Sequence, residues 1–367
     1  MVSIMIDPSF SNSIWCSSML AGLVSQLKVK RIPFRQIEDF SQLPENSRYI
    51  FLVGSDDTWV RSVLKVCNSL GVYPIFLGNE ANHFSEFEYS TVCSDVIGSM
   101  INIVSALRAM NRHRIALYGV NPQSIADRGR QEAYLATVKE GQFNIFYNHG
   151  NLERCYQDFI RSSAHITAEY DAVICANSFA AISLITRLMR DDPARLKRLM
   201  ILGYQDVWLS ELYDDYYSTV QLNFEEYGKA AVMILDNLRK NGNISHMIIA
   251  IKWNCGILDI QRQDNKKPVL NPLTIQLPRP KDAFYEDPEI LEMLLLEKVL
   301  YESEDLDKRI LRHLLAGESY EQIAESCFLT VSTVKYRVKK MVGLCRLKNR
   351  TELLTLLQKY IPKGKRF

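Results

Sequence analysis

The chain contains no run of about eighteen apolar residues, the length at which a hydrophobic stretch becomes a candidate membrane helix. Its first residues, MVSIMIDPSF, carry no basic residue ahead of the apolar stretch and reach Asp7 almost at once, so we expect a first β-strand rather than a secretory signal. With 47% hydrophobic and 23% charged residues, the composition is typical of a soluble globular protein, and we expect a cytoplasmic location. At 367 residues the chain is too long for one ordinary core, which predicts two or three domains.

Closely spaced cysteine pairs are also missing. The eight cysteines are scattered, none forms a CxxC pair, and most lie in apolar runs, so we expect buried thiols in a reducing compartment. The six histidines show no metal-ligand spacing, and we predict neither a structural metal nor a cofactor. A GxSxG motif, a P-loop, a GxGxxG motif after a strand and an HExxH motif are all absent, so nothing in the sequence supports an enzyme.

Short apolar runs alternate with amphipathic segments from residue 1 to about residue 260. Runs that are apolar throughout fit strands buried on both faces, and the helices between them imply parallel βαβ units. Eight or more strands over this length fit two doubly wound halves better than one sheet. We therefore expect an α/β fold with a two-lobed, parallel-sheet domain over residues 1–260. The predicted strands are 3–7, 33–37, 49–54, 73–78, 114–119, 143–147, 172–176 and 198–203, and the predicted helices include 58–70, 95–110, 128–140 and 178–190.

Charge is unevenly distributed, although the net charge is only +2. Residues 305–367 hold fourteen Lys/Arg and six Asp/Glu, a net charge of +8, whereas the remainder holds 30 basic and 36 acidic residues, a net charge of −6. A small basic module on an acidic body is typical of nucleic-acid binding. We expect residues 261–304 to form a proline-rich linker followed by an amphipathic helix, with Asp287 as its N-cap and Pro288 as its first residue.

The C-terminal segment predicts an all-α domain of four helices. Gly317 ends the first helix, and Ser319 with Gln322 forms a capping box at the start of the second. The third helix carries Val334, Val338 and Met341 on one stripe. Its other faces carry hydroxyl, aromatic and cationic side chains, as a helix in a major groove requires.

Four ordered motifs in this segment, Leu315-Ala-Gly-x-Ser, Gln322-Ile-Ala, Ser332-Thr-Val-Lys and Asn349-Arg-Thr-Glu-Leu, resemble the LuxR (GerE) helix-turn-helix family. The resemblance covers about residues 305–360 and implies binding to double-stranded DNA. The alternative, a basic helical bundle that binds protein, is less consistent with the order of the motifs.

By this resemblance, Thr333 and Lys335 contact phosphates, and Tyr336 and Lys339 read base edges. The candidate DNA-binding residues are Thr333, Lys335, Tyr336, Arg337, Lys339 and Lys340. The sequence departs from the family at Arg337, where a histidine is usual, and at Arg346, where a glycine is usual, which leaves the operator sequence open. Because the family pairs its last helix with that of a partner, we expect a homodimer; the apolar residues of this helix form either a dimer seam or intradomain core, and they are Leu353, Leu356, Leu357 and Tyr360.

Six further motifs over residues 3–258 resemble the LacI/GalR sensor domain, which shares the periplasmic sugar-binding fold. In chain order, they are Asp7-Pro-Ser-Phe-Ser-Asn-Ser-Ile-Trp15, Asp95-x-x-Gly98 with Arg114-Ile-Ala-Leu, Arg130-Gln-Glu-Ala-Tyr134, Asp171-Ala-Val-Ile-Cys-Ala-Asn177, Gly203-Tyr-Gln-Asp206, and Thr219-Val-Gln with Glu226-Tyr-Gly-Lys-Ala-Ala231. The resemblance implies a cleft between two lobes that holds a small polar ligand.

The ligand-binding residues implied by this resemblance are Trp15, Asp95, Arg130, Asn177, Gln205 and Asp206. Three of them have structural alternatives: Asp95 as a helix cap, Trp15 as core and Arg130 as a surface charge. Ser178 and Gln205 stand where the family has aspartates. With fewer acids around Arg130, the sequence suggests a sugar derivative such as a sugar phosphate, or another acidic ligand, rather than a free hexose.

Together the two resemblances predict a ligand-responsive transcriptional regulator. We expect the ligand to close the lobes and to shift how helix 287–303 presents paired DNA-binding domains. The alternatives are that this helix simply packs on the sensor, and that the sensor-like domain is a scaffold for protein interaction or dimerisation without a small ligand.

Overall fold

A computed structural model gives the structure of the protein and describes residues 1–8, 14–78, 84–138, 144–165, 170–204, 207–255, 286–362 and 365. These residues form two compact units. The first unit comprises Met1–Asn111, Pro122–Phe143 and Val220–Pro280, and the second comprises Arg112–Asn121, Asn144–Thr219 and Lys281–Phe367. The C-terminal helices therefore belong to the same compact unit as most of the second sheet.

The first unit is built on a six-stranded parallel sheet. With strands numbered in chain order, the sheet order is β2-β1-β3-β4-β5-β11. The strands are β1 (Val2–Ile6), β2 (Phe34–Ile37), β3 (Tyr49–Val53), β4 (Tyr73–Leu77), β5 (Ser90–Ser94) and β11 (Ile248–Ile251). The helices are α1 (Ile14–Val29), α2 (Asp57–Leu70), α3 (Val96–Ala109), α4 (Ile125–Thr137) and α8 (Phe224–Lys240), with a 3-10 turn at Phe40–Gln42.

Helices α1 and α8 approach each other closely in this unit. Gly228 lies against the backbone of Gly22 and Leu23, where a Cβ atom would clash. Glycine is therefore required at this contact, because any side chain would force the two helices apart. Residues of both helices form one core with one face of the sheet, and α2 covers the other face.

A second six-stranded sheet has the order β7-β6-β8-β9-β10-β12. The pairs β6–β7, β6–β8 and β8–β9 are parallel, whereas β10 and β12 pair in antiparallel fashion. The strands are β6 (Ile115–Val120), β7 (Ile145–Tyr147), β8 (Ala172–Cys175), β9 (Met200–Tyr204), β10 (Ser218–Gln221) and β12 (Asn254–Cys255). The accompanying helices are α5 (Leu152–His165), α6 (Ser178–Asp191) and α7 (Pro193–Arg198), with a 3-10 helix at Trp208–Tyr213.

The first strand of each sheet has the second strand on one side and the third on the other. The direction in which successive strands are added therefore reverses, between β1 and β3 in one sheet and between β6 and β8 in the other. In such sheets ligands bind outside the carboxyl ends of the strands, where the order reverses. The α/β class with two doubly wound parallel lobes, predicted from the sequence, is confirmed.

Residues 286–362, which the structure describes without a gap, form five helices, so the predicted all-α domain is also confirmed. They are α9 (Pro288–Glu302), α10 (Asp305–Leu315), α11 (Tyr320–Cys327), α12 (Val331–Leu344) and α13 (Arg350–Tyr360). The predicted helix signals are observed: Asp287 caps α9, Ser319 and Gln322 form the capping box of α11, and Gly317 takes a left-handed φ of 82° after α10. Apolar residues of all five helices join those of α5 and α6 in one hydrophobic core.

All eight cysteines are buried, as the sequence predicted. Across the described ranges, no helix is long and apolar enough to cross a membrane. Within the same ranges, His, Cys, Asp and Glu side chains do not come together in groups of three or more that could hold a metal ion.

Candidate functional site

Helix α12 has one buried face and one exposed face. Val334, Val338 and Met341 are buried, each at most 2% exposed. The helix begins after Thr330, whose hydroxyl accepts a hydrogen bond from the Thr333 amide at 3.2 Å. This cap satisfies a backbone donor that the first turn of a helix would otherwise leave unpaired. The predicted apolar stripe is therefore the face that packs.

The outward face of α12 carries cations and one aromatic ring. Lys335, Lys339 and Lys340 are exposed, and Tyr336 is 71% exposed. Thr333 is half-buried, and its hydroxyl lies 2.8 Å from that of Thr330. A face of this composition can bind phosphates through its ammonium groups and approach base edges with its longer side chains.

Arg337 is the exception among the residues predicted to contact DNA. Its Nη1 donates to Asp307 Oδ1 at 2.8 Å and to Glu304 Oε2 at 3.2 Å, and Asp307 is 1% exposed. The hydrogen bond to Asp307 raises the pKa of the Arg337 guanidinium. Asp307 and Glu304 also form the capping box of α10, so Arg337 joins α12 to the first turn of α10.

Helix α13 lies against the second unit's core. Leu353, Leu357 and Tyr360 have no exposed surface and Leu356 is 7% exposed, which favours the intradomain-core interpretation of this helix. The Tyr213 hydroxyl, from the 3-10 helix, donates to the backbone carbonyl of Tyr360. Burial raises the pKa of both tyrosines, so both hydroxyls stay protonated and able to donate.

Acidic residues of α9 cap elements of the α/β part of the second unit. Asp287 accepts a hydrogen bond from the Leu152 amide at 2.7 Å, at the start of α5, while its other oxygen caps α9 itself. Glu297, 6% exposed, accepts from the Leu209 amide at 2.7 Å, at the start of the 3-10 helix. Each carboxylate thus supplies an acceptor to a helix terminus far away in sequence.

An ion pair reinforces the same contact. Arg187 of α6 donates to Glu289 of α9 at 2.6 Å, with the two side chains 12% and 11% exposed. Arg187 also pairs with Glu153 of α5. Burial lowers the pKa of Arg187, but the nearby Glu289 outweighs this effect, so its pKa is raised. Helix α9 is therefore fixed to the α/β part by apolar packing, two capping carboxylates and this pair.

Arg130 lies on α4 of the first unit and is largely buried. Its Nη1 donates to Asp127 Oδ1 at 2.7 Å, and the two side chains are 11% and 4% exposed. Burial raises the pKa of Tyr227 on α8, a hydrogen bond with Ser94 opposes this shift, and the Arg130 charge opposes it as well. The charge of Arg130 is therefore felt at the Tyr227 hydroxyl.

Asp95 and Trp15 are the other candidates in the first unit. Asp95 directly follows β5 and accepts a hydrogen bond from the Gly98 amide at 3.0 Å, which makes it the N-cap of α3. Trp15 is half-buried on α1 and packs against the core of the first sheet. Both structural alternatives considered for these residues are thus present in the fold.

Asparagines mark the carboxyl edge of the second sheet. Asn177 follows β8, caps α6 through the Ala180 amide at 2.9 Å, and donates to the Gly119 carbonyl at 3.4 Å. Asn148 follows β7, is 1% exposed and accepts from the Asn151 amide at 2.9 Å, while its Nδ2 finds no partner among the described residues. Asn121, also buried, follows β6.

The remaining two predicted ligand residues, Gln205 and Asp206, lie outside the described residues. Two further residues were not predicted from the sequence: Asp127, which pairs with Arg130, and Asn148, which lies at the same edge of the second sheet as Asn177. Asp127 precedes Arg130 by three positions on one helix, a spacing at which side chains meet, so the pair was within reach of a sequence argument. Asn148 gave no comparable signal, because only the strand order brings it to the same edge as Asn177.

Comparison with known proteins gives one sequence match and many structural ones. Residues 303–342, which span α10, α11 and most of α12, match a family model described as winged helix-turn-helix DNA-binding. No curated protein matches the chain in sequence.

Among solved structures, the chain is similar to the transcriptional regulator CelR in complex with cellobiose, at a TM-score of 0.54 and 14% identity over 69% of this chain and 82% of that one. A LacI-family regulatory protein from Chloroflexus aggregans gives 0.53 and 14%, over 69% and 96%. A solute-binding protein of an ABC transporter from Bacillus halodurans C-125, with bound myo-inositol, gives 0.50 and 15%, over 69% and 93%. At these identities the similarity concerns the fold.

These findings define the class of the molecule. Two parallel-sheet α/β lobes, similar in fold to LacI-family regulators and to a solute-binding protein, are followed by an all-helical domain in which residues 303–342 match the helix-turn-helix model. The order of the two parts, α/β lobes first and helix-turn-helix last, agrees with the sequence-based prediction.

Proposed function

We propose that this chain is a cytoplasmic, ligand-responsive transcriptional regulator that binds double-stranded DNA through α12. The observation that carries the proposal is the asymmetry of this helix: one face is buried in the domain core, and the other presents three exposed lysines and an exposed tyrosine. Phosphate contacts supply affinity and position, and base-edge contacts supply specificity, so the outward face has both kinds of group.

The domain is proposed to be of the LuxR type. Helices α10 to α13 give the four-helix order that the sequence motifs predicted. Between α12 and Ile361, the described residues form α13 and no β-hairpin of the kind that gives winged domains their name. This supports a four-helix module over a winged one, within the broader helix-turn-helix class.

Within the interface, Thr333 and Lys335 are assigned to phosphates, and Tyr336 and Lys339 to bases, with Lys340 as a further cation. Arg337 belongs to the interface indirectly, since its guanidinium is engaged by Asp307 and Glu304. Its proposed role is to hold α12 in place rather than to touch DNA.

The ligand is proposed to be a small polar molecule of the sugar class. Arg130, Asp95 and Asn177 offer the donors and acceptors that hydroxyl groups need. Two proteins of similar fold have cellobiose and myo-inositol in their structures, which supports this class. The capping bonds of Asp95 and Asn177 favour the second candidate, a scaffold without a ligand, since they give both residues a structural reason to be present.

Coupling is proposed to run through α9. Because α9 and α13 are part of the second unit's core, any movement that a ligand causes in the α/β part of this unit carries the DNA-binding helices with it. A homodimer, which the sequence resemblance implies, would turn such a movement into a change of spacing between two copies of α12.

A thermal-shift screen of the full chain tests whether it binds a small ligand. A sugar at 100 times its dissociation constant should stabilise the protein by about 2.7 kcal/mol, and Arg130→Ala should abolish the shift. If no sugar, sugar phosphate, nucleoside or small acid shifts the transition, the scaffold alternative replaces the ligand-responsive one. The proposal that the chain binds DNA would then rest on α12 alone.

A further inference from the structure

We infer that Asp127 is a built-in counter-ion for Arg130 and that the ligand is an uncharged polyol rather than a phosphorylated or carboxylated one. The inference rests on the proposed function, since it takes Arg130 as a ligand contact. It reverses the expectation drawn from the sequence alone, in which a lack of acids around Arg130 favoured an acidic ligand.

The geometry of the pair carries the inference. Asp127 Oδ1 lies 2.7 Å from Arg130 Nη1, and only 4% and 11% of the two side chains are exposed. Asp127 sits in the first turn of α4, where it also faces the positive end of the helix. Removing either partner of such a buried pair would leave the other charge without compensation, so the carboxylate and the guanidinium hold each other in place.

A second anion at Arg130 would therefore meet a carboxylate that is already there. Its attraction to the guanidinium would be offset by repulsion from Asp127 at similar range, in surroundings that screen charges less than bulk water. A hydroxyl group has no such penalty. The guanidinium has five N–H donors in a planar fork, so engagement of Nη1 by Asp127 is compatible with donation to a neutral oxygen.

Matched ligand pairs provide the test. Titration calorimetry on the full chain would compare cellobiose, glucose and myo-inositol with glucose 6-phosphate and myo-inositol monophosphate. We expect at least one uncharged compound to bind about tenfold or more tighter than its phosphate. Asp127→Asn, which leaves Arg130 without its counter-ion, should narrow or reverse that preference.

The control variant is Asp57→Asn, which breaks another Asp–Arg pair on a helix of the first unit, with Arg61 at 3.0 Å. It should leave the preference unchanged. A wild-type preference for the phosphate would overturn the inference while leaving the ligand-responsive function intact, and this result needs no variant to fold. The absence of binding by every member of both series would instead remove the ligand site, and the inference with it. An unchanged preference in folded Asp127→Asn would also overturn the inference.

Discussion

Helices α12 and α13 are neighbours in the chain but face different surroundings. The outward side of α12 is exposed and cationic, whereas the apolar side of α13 is buried against α9 and α6 in the core of the second unit. The two helices of one module thus differ in their surroundings. One keeps a cationic face exposed, and the apolar residues of the other pack in the core that the module shares with the α/β part of the unit.

Because of this difference, substitutions on the two helices should change different properties. Changes on the open face of α12 should alter DNA binding and leave the free energy of unfolding almost unchanged, because exposed side chains contribute little to stability. Changes on the attached face of α13, or in the contacts that hold α12 in place, should lower stability first. The four predictions that follow test this separation.

The largest effect is expected at Leu357, which has no exposed surface. Leu357→Ala leaves a cavity in the shared core and should lower the free energy of unfolding by about 2–5 kcal/mol. Urea denaturation measures the change. Gln358→Ala, one position along on the exposed side of α13, is the control and should change stability by about 0.5 kcal/mol or less. Equal effects of the two variants would contradict the attachment of α13.

Arg337→Met should come next, because it leaves the buried Asp307 without its cation. A loss of about 1–3 kcal/mol in the free energy of unfolding is expected, the usual cost of an unsatisfied buried partner. In DNA titrations at several salt concentrations, the salt dependence of the remaining affinity should match that of the wild type. If the slope of log affinity against log salt fell by about 1 while the free energy of unfolding stayed normal, Arg337 would instead neutralise a phosphate.

Lys339→Ala should weaken binding to a specific duplex by about 1–3 kcal/mol and relax specificity at one position, if this lysine reads a base. The free energy of unfolding should not change, since the side chain is exposed. Fluorescence anisotropy with specific and random duplexes measures the effect. Lys240→Ala, an exposed lysine at the end of α8, serves as the control and should leave both affinities as they are.

The smallest effect is expected for Lys335→Ala. Loss of one phosphate contact should weaken binding to all duplexes alike and reduce the salt slope by about 1. The measurement is the slope of log affinity against log salt for a specific and a random duplex. A loss confined to the specific duplex would exchange the roles of Lys335 and Lys339.

Local signals account for the part of the molecule that could be predicted from the sequence. The stripe of Val334, Val338 and Met341 and the capping box of Ser319 and Gln322 each depend on residues within one or two turns, and both are observed. Buried strands such as β3 and β8 were predicted from their apolar runs. By contrast, β5 and β11 were not predicted. The β5 sequence, SerThrValCysSer, has hydroxyl residues where an apolar run would indicate a strand, and β11 is an edge strand of only four residues.

Contacts between distant residues account for most of the rest. Asp287 was predicted as a cap of its own helix, but its second role at the Leu152 amide joins residues 135 positions apart. Arg337 has the spacing of an outward-facing residue, and only the packing of α10 on α12 shows that Asp307 engages it. Whether Arg130 and Asn177 contact a ligand, as the sequence predicted, stays a prediction.

Selection of DNA from a random duplex pool by the full chain tests whether α12 reads DNA. If it does, repeated rounds should enrich a short common motif, binding should weaken steeply as salt rises, and Lys339→Ala should change the enriched motif. If no motif is enriched and binding to DNA is weak even at low salt, then α12 does not read DNA, and the exposed cationic face serves another partner.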